Sequence, residues 1–263
     1  MTSPATSRLV ALEGVGSFRD FGGYEARGGR LRLGRLFRSA HLAHASDADL
    51  EVLAGCGIRA VVDLRRAVER AVEPCRRWNG FGAEVIENDI EEAFLHPSPT
   101  PNQGFPMHLD VEAHRARSRG FYARAAYEAR HIDLFRRYFQ ALVAPDDGPV
   151  LIHCASGKDR TGLLAALTHW AVGVREDDLM GDFLATNALL GPRLPGLRKL
   201  ASSAAGREVG DDELLARVSV GPDYLEAAFG SMIERNGSVD GYLRDVLGLD
   251  AGRKTALIDR LVA

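Results

Sequence analysis

Short apolar runs that end in polar residues alternate along the chain with longer stripes of helical spacing. The runs at 58–65, 84–86 and 150–152 have the length and the Val/Ile content of buried strands. Elsewhere apolar positions recur three or four residues apart, as in amphipathic helices. The helical stripes lie at 46–55, 121–142, 163–171, 177–190, 197–201, 211–218, 222–235, 239–247 and 251–261. Because no linker or internal repeat divides it, the pattern predicts one α/β domain over 1–263.

Glycine pairs punctuate the chain before the first of these helices. Over 22–38 they separate short alternations of polar and apolar residues, which predicts a small hairpin region. Arg19 and Asp20 fall in the punctuated loop, where a surface salt bridge is the ordinary role of such a pair. Residues 1–8 are rich in Ser, Thr and Pro, and we expect a disordered tail there.

The bulk composition is ordinary for a globular protein and excludes several function classes. Of 263 residues, 46% are hydrophobic and 26% are charged, and the net charge of −3 gives no reason to expect nucleic acid as a partner. The three cysteines are widely spaced and form neither a disulfide framework nor a metal-ligand set. No apolar run approaches the ~18 residues of a transmembrane segment, and the N-terminus lacks a signal-peptide pattern. We therefore expect a cytoplasmic protein with reduced thiols.

The segment HCASGKDRTG, residues 153–162, carries the chemistry. It lies between a predicted strand and the helical stripe that begins at Leu163, so it forms a tight loop at a helix N-terminus. In such a loop the backbone N–H groups and the helix dipole converge on an anion. The same field favours the thiolate of Cys154 over the thiol, and Arg160 can offer a bidentate fork to phosphate. A cysteine at the base of a phosphate cradle is a nucleophile aimed at phosphorus.

This segment resembles the signature of the cysteine-dependent phosphatases, the protein tyrosine phosphatase superfamily: His-Cys, five residues, Arg, then Ser or Thr. Its Lys-Asp pair is similar to that of the bacterial branch that also acts on phosphoinositides. Further stretches are similar to that branch in the same order: FRDFGGY at 18–24, LFRSA at 36–40, VDLR at 62–65 and GSVDGYL at 237–243. The resemblance therefore covers the whole chain.

The resemblance implies a central, mostly parallel sheet flanked by helices, with a helical lid insertion at about 91–130 and a helical C-terminal part. The residues alone leave a disordered excursion open for this Pro-rich segment. The implied substrates are phosphotyrosine and also phosphoserine, phosphothreonine or phosphoinositides. The partner is then a phosphorylated protein or a phosphoinositide, with no cofactor. Export without a signal peptide also stays open.

Each residue of the loop has a role that phosphate hydrolysis requires. Cys154 attacks phosphorus and forms a phosphocysteine, while the backbone amides and Arg160 hold the equatorial oxygens. Those fixed dipoles neutralise the anion, so no metal is needed. Thr161 can donate a hydrogen bond to the departing sulfur, and His153 orients the cysteine. Lys158 adds positive charge at the rim. The phosphate-binding residues are Ala155, Ser156, Gly157, Lys158, Asp159 and Arg160.

The general acid is the open assignment, because the chain lacks the Trp-Pro-Asp tripeptide of other tyrosine phosphatases. Asp159 lies among the amides that hold the phosphate, and we favour it. Asp63 is second, since its strand brings it to a carboxyl end, where ligands collect. Asp20 is third, because the FRD stretch lies beside the active site in the family. Each has a competing structural role: Asp159 can pair with Arg19, Arg65 or another arginine, Asp63 can cap the following helix, and Asp20 can form a surface salt bridge.

Two other functions compete with hydrolysis. A catalytically silent module that binds phosphate or phosphoinositide would share the fold, but silent members usually lose one of Cys154, Arg160 and Thr161. A sulfurtransferase also uses a cysteine in a loop of amides, yet it does not need the Arg160-Thr161 pair. A buried core cysteine is the common fate of a free thiol, but the polar residues and glycine after Cys154 would make a poor core.

Overall fold

A computed structural model describes residues 8–91, 110–145 and 148–263, and a five-stranded sheet forms its centre. The strands are β1 (Arg19–Asp20), β2 (Glu25–Ala26), β3 (Gly29–Arg30), β4 (Leu36–Ala40), β5 (Ala60–Asp63), β6 (Glu84–Ile86) and β7 (Val150–Cys154). The strand order in the central sheet is β1-β4-β7-β5-β6, while β2 and β3 pair only with each other. β4, β7, β5 and β6 run parallel, and β1 is antiparallel to β4. The mostly parallel sheet is thus confirmed.

Helices flank this sheet and make up most of the C-terminal half of the described chain. They are α1 (Asp47–Gly55), α2 (Ala67–Val72), α3 (Val111–Ala125), α4 (Ala129–Val143), α5 (Asp159–Val172), α6 (Glu176–Ala188), α7 (Leu194–Ala205), α8 (Asp211–Val218), α9 (Pro222–Asn236), α10 (Val239–Asp245) and α11 (Ala251–Leu261). A 3-10 turn, Gly191–Arg193, leads directly into α7. The α/β class is confirmed, and the helical C-terminal part is present.

The sheet separates two hydrophobic cores. Successive strand residues point to opposite faces, so Val62 and Ile152 join the larger core with α4, α5 and α9. Val61 and Leu151 join the smaller core with α1 and Trp78. Cys154 continues the face of Ile152, and His153 continues the face of Leu151. The side chains of His153 and Cys154 therefore lie on opposite sides of the sheet.

Three predicted elements differ from the structure. The hairpin is β2–β3, whereas residues 36–40 form a central strand parallel to β7. Arg19 and Asp20 lie in a strand rather than a loop, because they pair with the end strand of the parallel set. The stripe at 121–142 is two helices, α3 and α4. In addition, α2 was not predicted, since six residues are too few to show a helical period.

The proposed lid segment, 91–130, is described only in part. Residues 92–109 lie outside the described residues, as do residues 1–7 of the expected tail. Residues 111–125 form α3, which begins at an Asp110 cap and packs mainly against α9, with Tyr122 fully buried. The lid and the single-domain organisation stay predictions.

A buried carboxylate on α6 ties β1 and β4 to the loop at 153–162. Asp182 is 1% exposed and accepts a hydrogen bond from Nη1 of Arg38 at 2.7 Å. Nε of Arg19 lies 3.5 Å from the same carboxylate, and Arg19 also donates to the Asp182 carbonyl. Although burial opposes its ionisation, the two guanidinium groups hold the pKa of Asp182 far below its usual range. Arg38 then donates to the Gly157 carbonyl at 3.2 Å, so the network reaches the loop.

We expect Asp182→Asn to lower the free energy of unfolding by about 3–5 kcal/mol, because two buried guanidinium groups lose their counter-charge. Urea denaturation measures the loss. The matched control is Asp245→Asn, which breaks an exposed pair with Arg244 and should leave the free energy of unfolding nearly unchanged. Similar values for the two variants would show that the buried network does not stabilise the fold.

Candidate active site

The loop at 153–162, called here the phosphate loop, packs directly against the end of β4. Gly157 has a φ of 66°, a conformation that favours glycine. A Cβ at this position would lie 2.5 Å from the carbonyl carbon of Ser39 and 2.6 Å from the backbone nitrogen of Ala40. Only glycine therefore allows the loop to turn so close to the neighbouring strand.

The backbone of the phosphate loop presents its donors to one side. Arg38 donates a hydrogen bond to the Gly157 carbonyl. Within the described chain, the N–H groups of residues 155–160 donate to no protein acceptor. The helix α5 begins at Asp159, so its N-terminal dipole adds to these donors. This is the arrangement that an oxyanion requires.

Cys154 lies at the base of this arrangement and is 2% exposed. Burial opposes ionisation of its thiol. The charge of Arg160, together with the hydroxyl and the backbone N–H of Thr161, outweighs burial and lowers the pKa of Cys154. The Thr161 hydroxyl lies close enough to the sulfur to lower the pKa. Among the described residues, however, its Oγ1 makes no hydrogen bond of regular geometry. A thiolate is the nucleophilic form of cysteine, so the site favours the reactive species.

Arg160 is held by a carboxylate that the sequence did not reveal. Its Nη1 and Nη2 donate to the two oxygens of Glu69 at 2.7 and 2.8 Å, and Nη1 also donates to the Leu64 carbonyl. Burial would raise the pKa of Glu69, but the Arg160 charge lowers it to about 2. Glu69 is therefore ionised at neutral pH. The pair leaves Nε–H and one Nη2–H of Arg160 for a ligand.

Among the three candidate acids, Asp159 is the one placed at the phosphate loop with an accessible carboxyl group. Its side chain is 36% exposed, and Nζ of Lys158 lies 3.7 Å from Oδ2. The hydroxyl of Tyr122 donates to Oδ1 at 3.0 Å. Tyr122 is fully buried on α3, so its hydroxyl fixes the orientation of Asp159. No sequence pattern signalled this contact, because Tyr122 occupies an ordinary core position of a helical stripe.

Asp63, at the end of β5, is the register partner of His153 and lies on the face of the sheet opposite Cys154. Its carboxylate accepts three hydrogen bonds from the side chain of Arg65, the shortest at 2.7 Å, and one from the Arg65 N–H. Burial opposes ionisation, but His153 and Arg65 together lower the pKa of Asp63. Asp63 is 3% exposed. A buried, ionised and fully paired carboxylate holds no proton to donate, so this environment favours the structural role.

Asp20 lies away from the thiol. It is the register partner of Phe37, which pairs with Leu151, three residues before Cys154. At ~3.3 Å per residue, the strand separates the two positions by roughly 10 Å. The carboxylate of Asp20 accepts the N–H groups of Gly22 and Gly34 and so closes the turns around β1. Its position and its bonds indicate a structural role.

His153 supports the phosphate loop from the face of the sheet opposite Cys154. Its Nδ1 lies 3.7 Å from Oδ1 of Asp63. Burial would lower the pKa of His153, but the charges of Asp63 and Cys75 raise it. The Arg65 guanidinium donates to Sγ of Cys75 at 3.0 Å, and His153 and Arg65 together lower the pKa of Cys75 against its burial. The structure thus brings the predicted supporting residues His153 and Arg65 together on the face of the sheet opposite Cys154.

In the part of the chain that the structure describes, two groups of side chains have potential metal-ligand atoms within 4.8 Å of one another. In the group of Asp63, Cys75 and His153, the Arg65 guanidinium already contacts the first two as a cation. The second group is His41, His44 and Glu73. There, Nδ1 of His41 accepts the N–H of Ala43, whereas a metal-bound histidine normally donates through its second nitrogen. Neither group is arranged for a metal.

Comparison with known proteins agrees with this site. The sequence model of the tyrosine phosphatase family matches residues 10–263. The chain is 32% identical over 252 residues to a Cupriavidus necator protein assigned the name of a tyrosine-protein phosphatase, covering 93% of this chain and 86% of that protein. It is 30% identical to the triple specificity protein phosphatase PtpB of Mycobacterium tuberculosis, covering 95% and 96%. A tyrosine-protein phosphatase of Nostoc commune is 29% identical, over 80% of this chain and 68% of that protein.

One further observation concerns membranes. In the three described stretches of the chain, no helix combines the length and the apolar character needed to cross a bilayer.

We expect Thr161→Val to raise the pH midpoint for alkylation of Cys154 by iodoacetamide, because the variant removes a hydroxyl that stabilises the thiolate. Peptide mapping by mass spectrometry follows Cys154 alone. The control is Thr168→Val on the same helix, whose buried hydroxyl bonds to Tyr138 and the Leu164 carbonyl, and it should leave the midpoint unchanged. An unchanged midpoint in Thr161→Val would show that this hydroxyl does not stabilise the thiolate of Cys154.

Proposed function

The chain belongs to the tyrosine phosphatase family, and from that premise we propose that it hydrolyses phosphotyrosine through a phosphocysteine on Cys154. The observation that carries the proposal is the setting of this thiol. Its pKa is lowered, it lies beneath backbone N–H groups without protein acceptors, and Arg160 and Thr161 adjoin it. These groups together meet the needs of a thiolate that attacks a phosphorus atom with three charged oxygens.

In the first step, the Cys154 sulfur donates an electron pair to phosphorus and the bond from phosphorus to the tyrosyl oxygen breaks. The oxygen leaves with the bonding pair and takes the proton of Asp159. The loop amides and the free donors of Arg160 hold the three equatorial oxygens during the transfer. The carboxylate of Glu69 keeps the Arg160 fork in place, so little reorganisation accompanies the reaction.

In the second step, a water oxygen attacks the phosphocysteine and the bond between sulfur and phosphorus breaks. Asp159, now ionised, accepts a proton from this water and is reset as the acid. The sulfur leaves as a thiolate, which the Thr161 hydroxyl and Arg160 stabilise. Tyr122 acts as a positioning residue, because its hydrogen bond orients the Asp159 carboxyl toward the site.

The recessed thiol supports phosphotyrosine as the main substrate. With Cys154 only 2% exposed, the phosphate must extend far from the rest of the substrate, as it does on an aryl ring. We include phosphoserine, phosphothreonine and phosphoinositides as further substrates, since one relative is named a triple specificity phosphatase. The case for lipid headgroups is weaker, because Lys158 Nζ donates to the Val218 carbonyl at 2.9 Å and is held there rather than directed at a ligand.

We expect Cys154→Ser to abolish hydrolysis of nitrophenyl phosphate while it still binds inorganic phosphate, because the amides and Arg160 remain. The control Cys56→Ser, at the end of α1, should retain full activity. Wild-type activity should persist in EDTA. Turnover by Cys154→Ser would contradict the covalent mechanism. A wild-type protein that binds phosphate without turnover is a silent module, and turnover of thiosulfate alone identifies a sulfurtransferase.

We expect Asp159→Asn to separate substrates by their leaving group. A nitrophenolate leaves without a proton, so its hydrolysis should fall little, whereas an alkyl phosphate should lose on the order of a hundredfold or more in kcat. The control Asp223→Asn, on the exposed side of α9, should leave both rates unchanged. Equal losses on the two substrates for Asp159→Asn would make this carboxylate structural.

A further inference from the structure

Arg193 reaches the phosphate loop from outside the sheet. It ends the 3-10 turn that leads into α7. A Cβ placed on Gly16 would lie 3.4 Å from Nη1 of Arg193, so the guanidinium lies against Gly16, whose carbonyl accepts the N–H of Ala40 at 2.8 Å. Ala40 is the register partner of Cys154 on the neighbouring strand. Arg193 therefore lies at the strand ends that surround the nucleophile.

Arg193 differs from the paired arginines around the site in having no carboxylate partner. Arg19 and Arg38 share Asp182, Arg65 pairs with Asp63, and Arg160 pairs with Glu69. Among the described residues, the Arg193 guanidinium makes no hydrogen bond and no ion pair. Burial lowers the pKa of this guanidinium, and the opposing influence comes from Cys154. Arg193 therefore lies close enough to Cys154 to interact with a charge on its sulfur.

Arg193 and Arg160 approach Cys154 from different sides. β7 lies between β4 and β5 in the sheet. Arg160 contacts the Leu64 carbonyl just after β5 and Glu69 on α2. Arg193 lies against Gly16, which is hydrogen-bonded to Ala40 at the end of β4. A group bound above Cys154 would therefore have one guanidinium on each flank.

We propose that Arg193 binds the phosphoryl group that Cys154 attacks, as a second arginine facing Arg160 across the nucleophile. This inference rests on the proposed phosphatase function and adds a residue to its site. The Glu69 carboxylate neutralises much of the Arg160 charge, whereas the Arg193 charge is not compensated. An anion between the two would therefore gain most from Arg193, and its equatorial oxygens need such a donor as their charge spreads.

The surroundings of Arg193 hold it in place. The helices α7 and α8 have a small hydrophobic cluster of their own, formed by Leu190, Ala201, Val209, Leu214 and Val218. Leu194, the residue directly after Arg193, packs against this cluster. The backbone of Arg193 is thereby anchored, and its side chain extends from this cluster toward Gly16.

Calorimetry with inorganic phosphate tests the proposal in the Cys154→Ser background, where no turnover interferes. Adding Arg193→Ala should weaken phosphate binding roughly ten- to a hundredfold, the value of one charge-assisted hydrogen bond. With Cys154 intact, kcat/KM for nitrophenyl phosphate should fall by a similar factor. Arg193→Lys should recover part of the loss, and Arg193→Met keeps the apolar stem if the alanine variant is unstable.

The matched control is Arg198→Ala in α7, since Arg198 pairs with Asp211 on the surface and should leave phosphate affinity unchanged. Phosphate affinity that is unchanged in both Arg193→Ala and Arg193→Met would overturn the proposal. So would a loss seen only with an inositol phosphate that carries a second phosphate, because Arg193 would then bind the distal group. If the wild type hydrolyses no phosphate ester, the proposed function fails, but the calorimetric comparison still decides the role of Arg193.

Discussion

Two buried carboxylates, Asp182 and Glu69, fix the geometry of the phosphate loop. Unpaired charges inside a protein are costly, so Arg38 and Arg160 take the positions that these two carboxylates allow. Asp182 holds Arg38, which in turn holds the Gly157 carbonyl and so turns the loop amides outward. Glu69 holds Arg160 beside the nucleophile. The donors are therefore in place before any ligand arrives, which is the condition for electrostatic catalysis without reorganisation.

The sheet divides these tasks between its faces. Cys154 belongs to the face of the larger core, where the phosphate loop and α5 continue from β7. On the other face, His153, Asp63 and Arg65 form a compact ionic brace under the same strand. Adjacent residues of one strand can serve such different roles because their side chains alternate. The His153-Cys154 pair thus connects the phosphate loop on one face of the sheet to the ionic group on the other face.

The sequence indicated the local parts of the site and not its distant partners. The loop itself was recognisable, because strand, glycine turn and helix start are contiguous. Glu69 was missed, since it lies on a six-residue helix, 91 positions from Arg160. Asp182 was missed because it lies 144 positions from Arg38 along the chain. The role of Asp63 stayed open until its contact with Arg65, two residues on, could be seen.

Buried arginines also explain why β1 was mistaken for a loop and part of β4 for a hairpin. Arg19 and Arg38 are fully buried, yet as charged residues they break the apolar pattern that marks an interior strand. Their burial depends on Asp182, which lies on a helix far along the chain. No local pattern in the strands can reveal such a partner. The all-parallel part of the sheet around β5 and β7 was visible because its buried positions are mostly aliphatic.

The separate cluster of α7 and α8 has a consequence for how this protein can diverge. Its five buried residues belong to neither face of the sheet, so substitutions there leave the packing around Cys154 intact. Val218, one of the five, also offers its carbonyl to Lys158 at the rim of the phosphate loop. A lineage can therefore alter the surroundings of the substrate in this segment while it conserves the loop that carries the chemistry. Selection for new substrates can then act in this segment, while Arg193 at its edge stays under selection together with the loop.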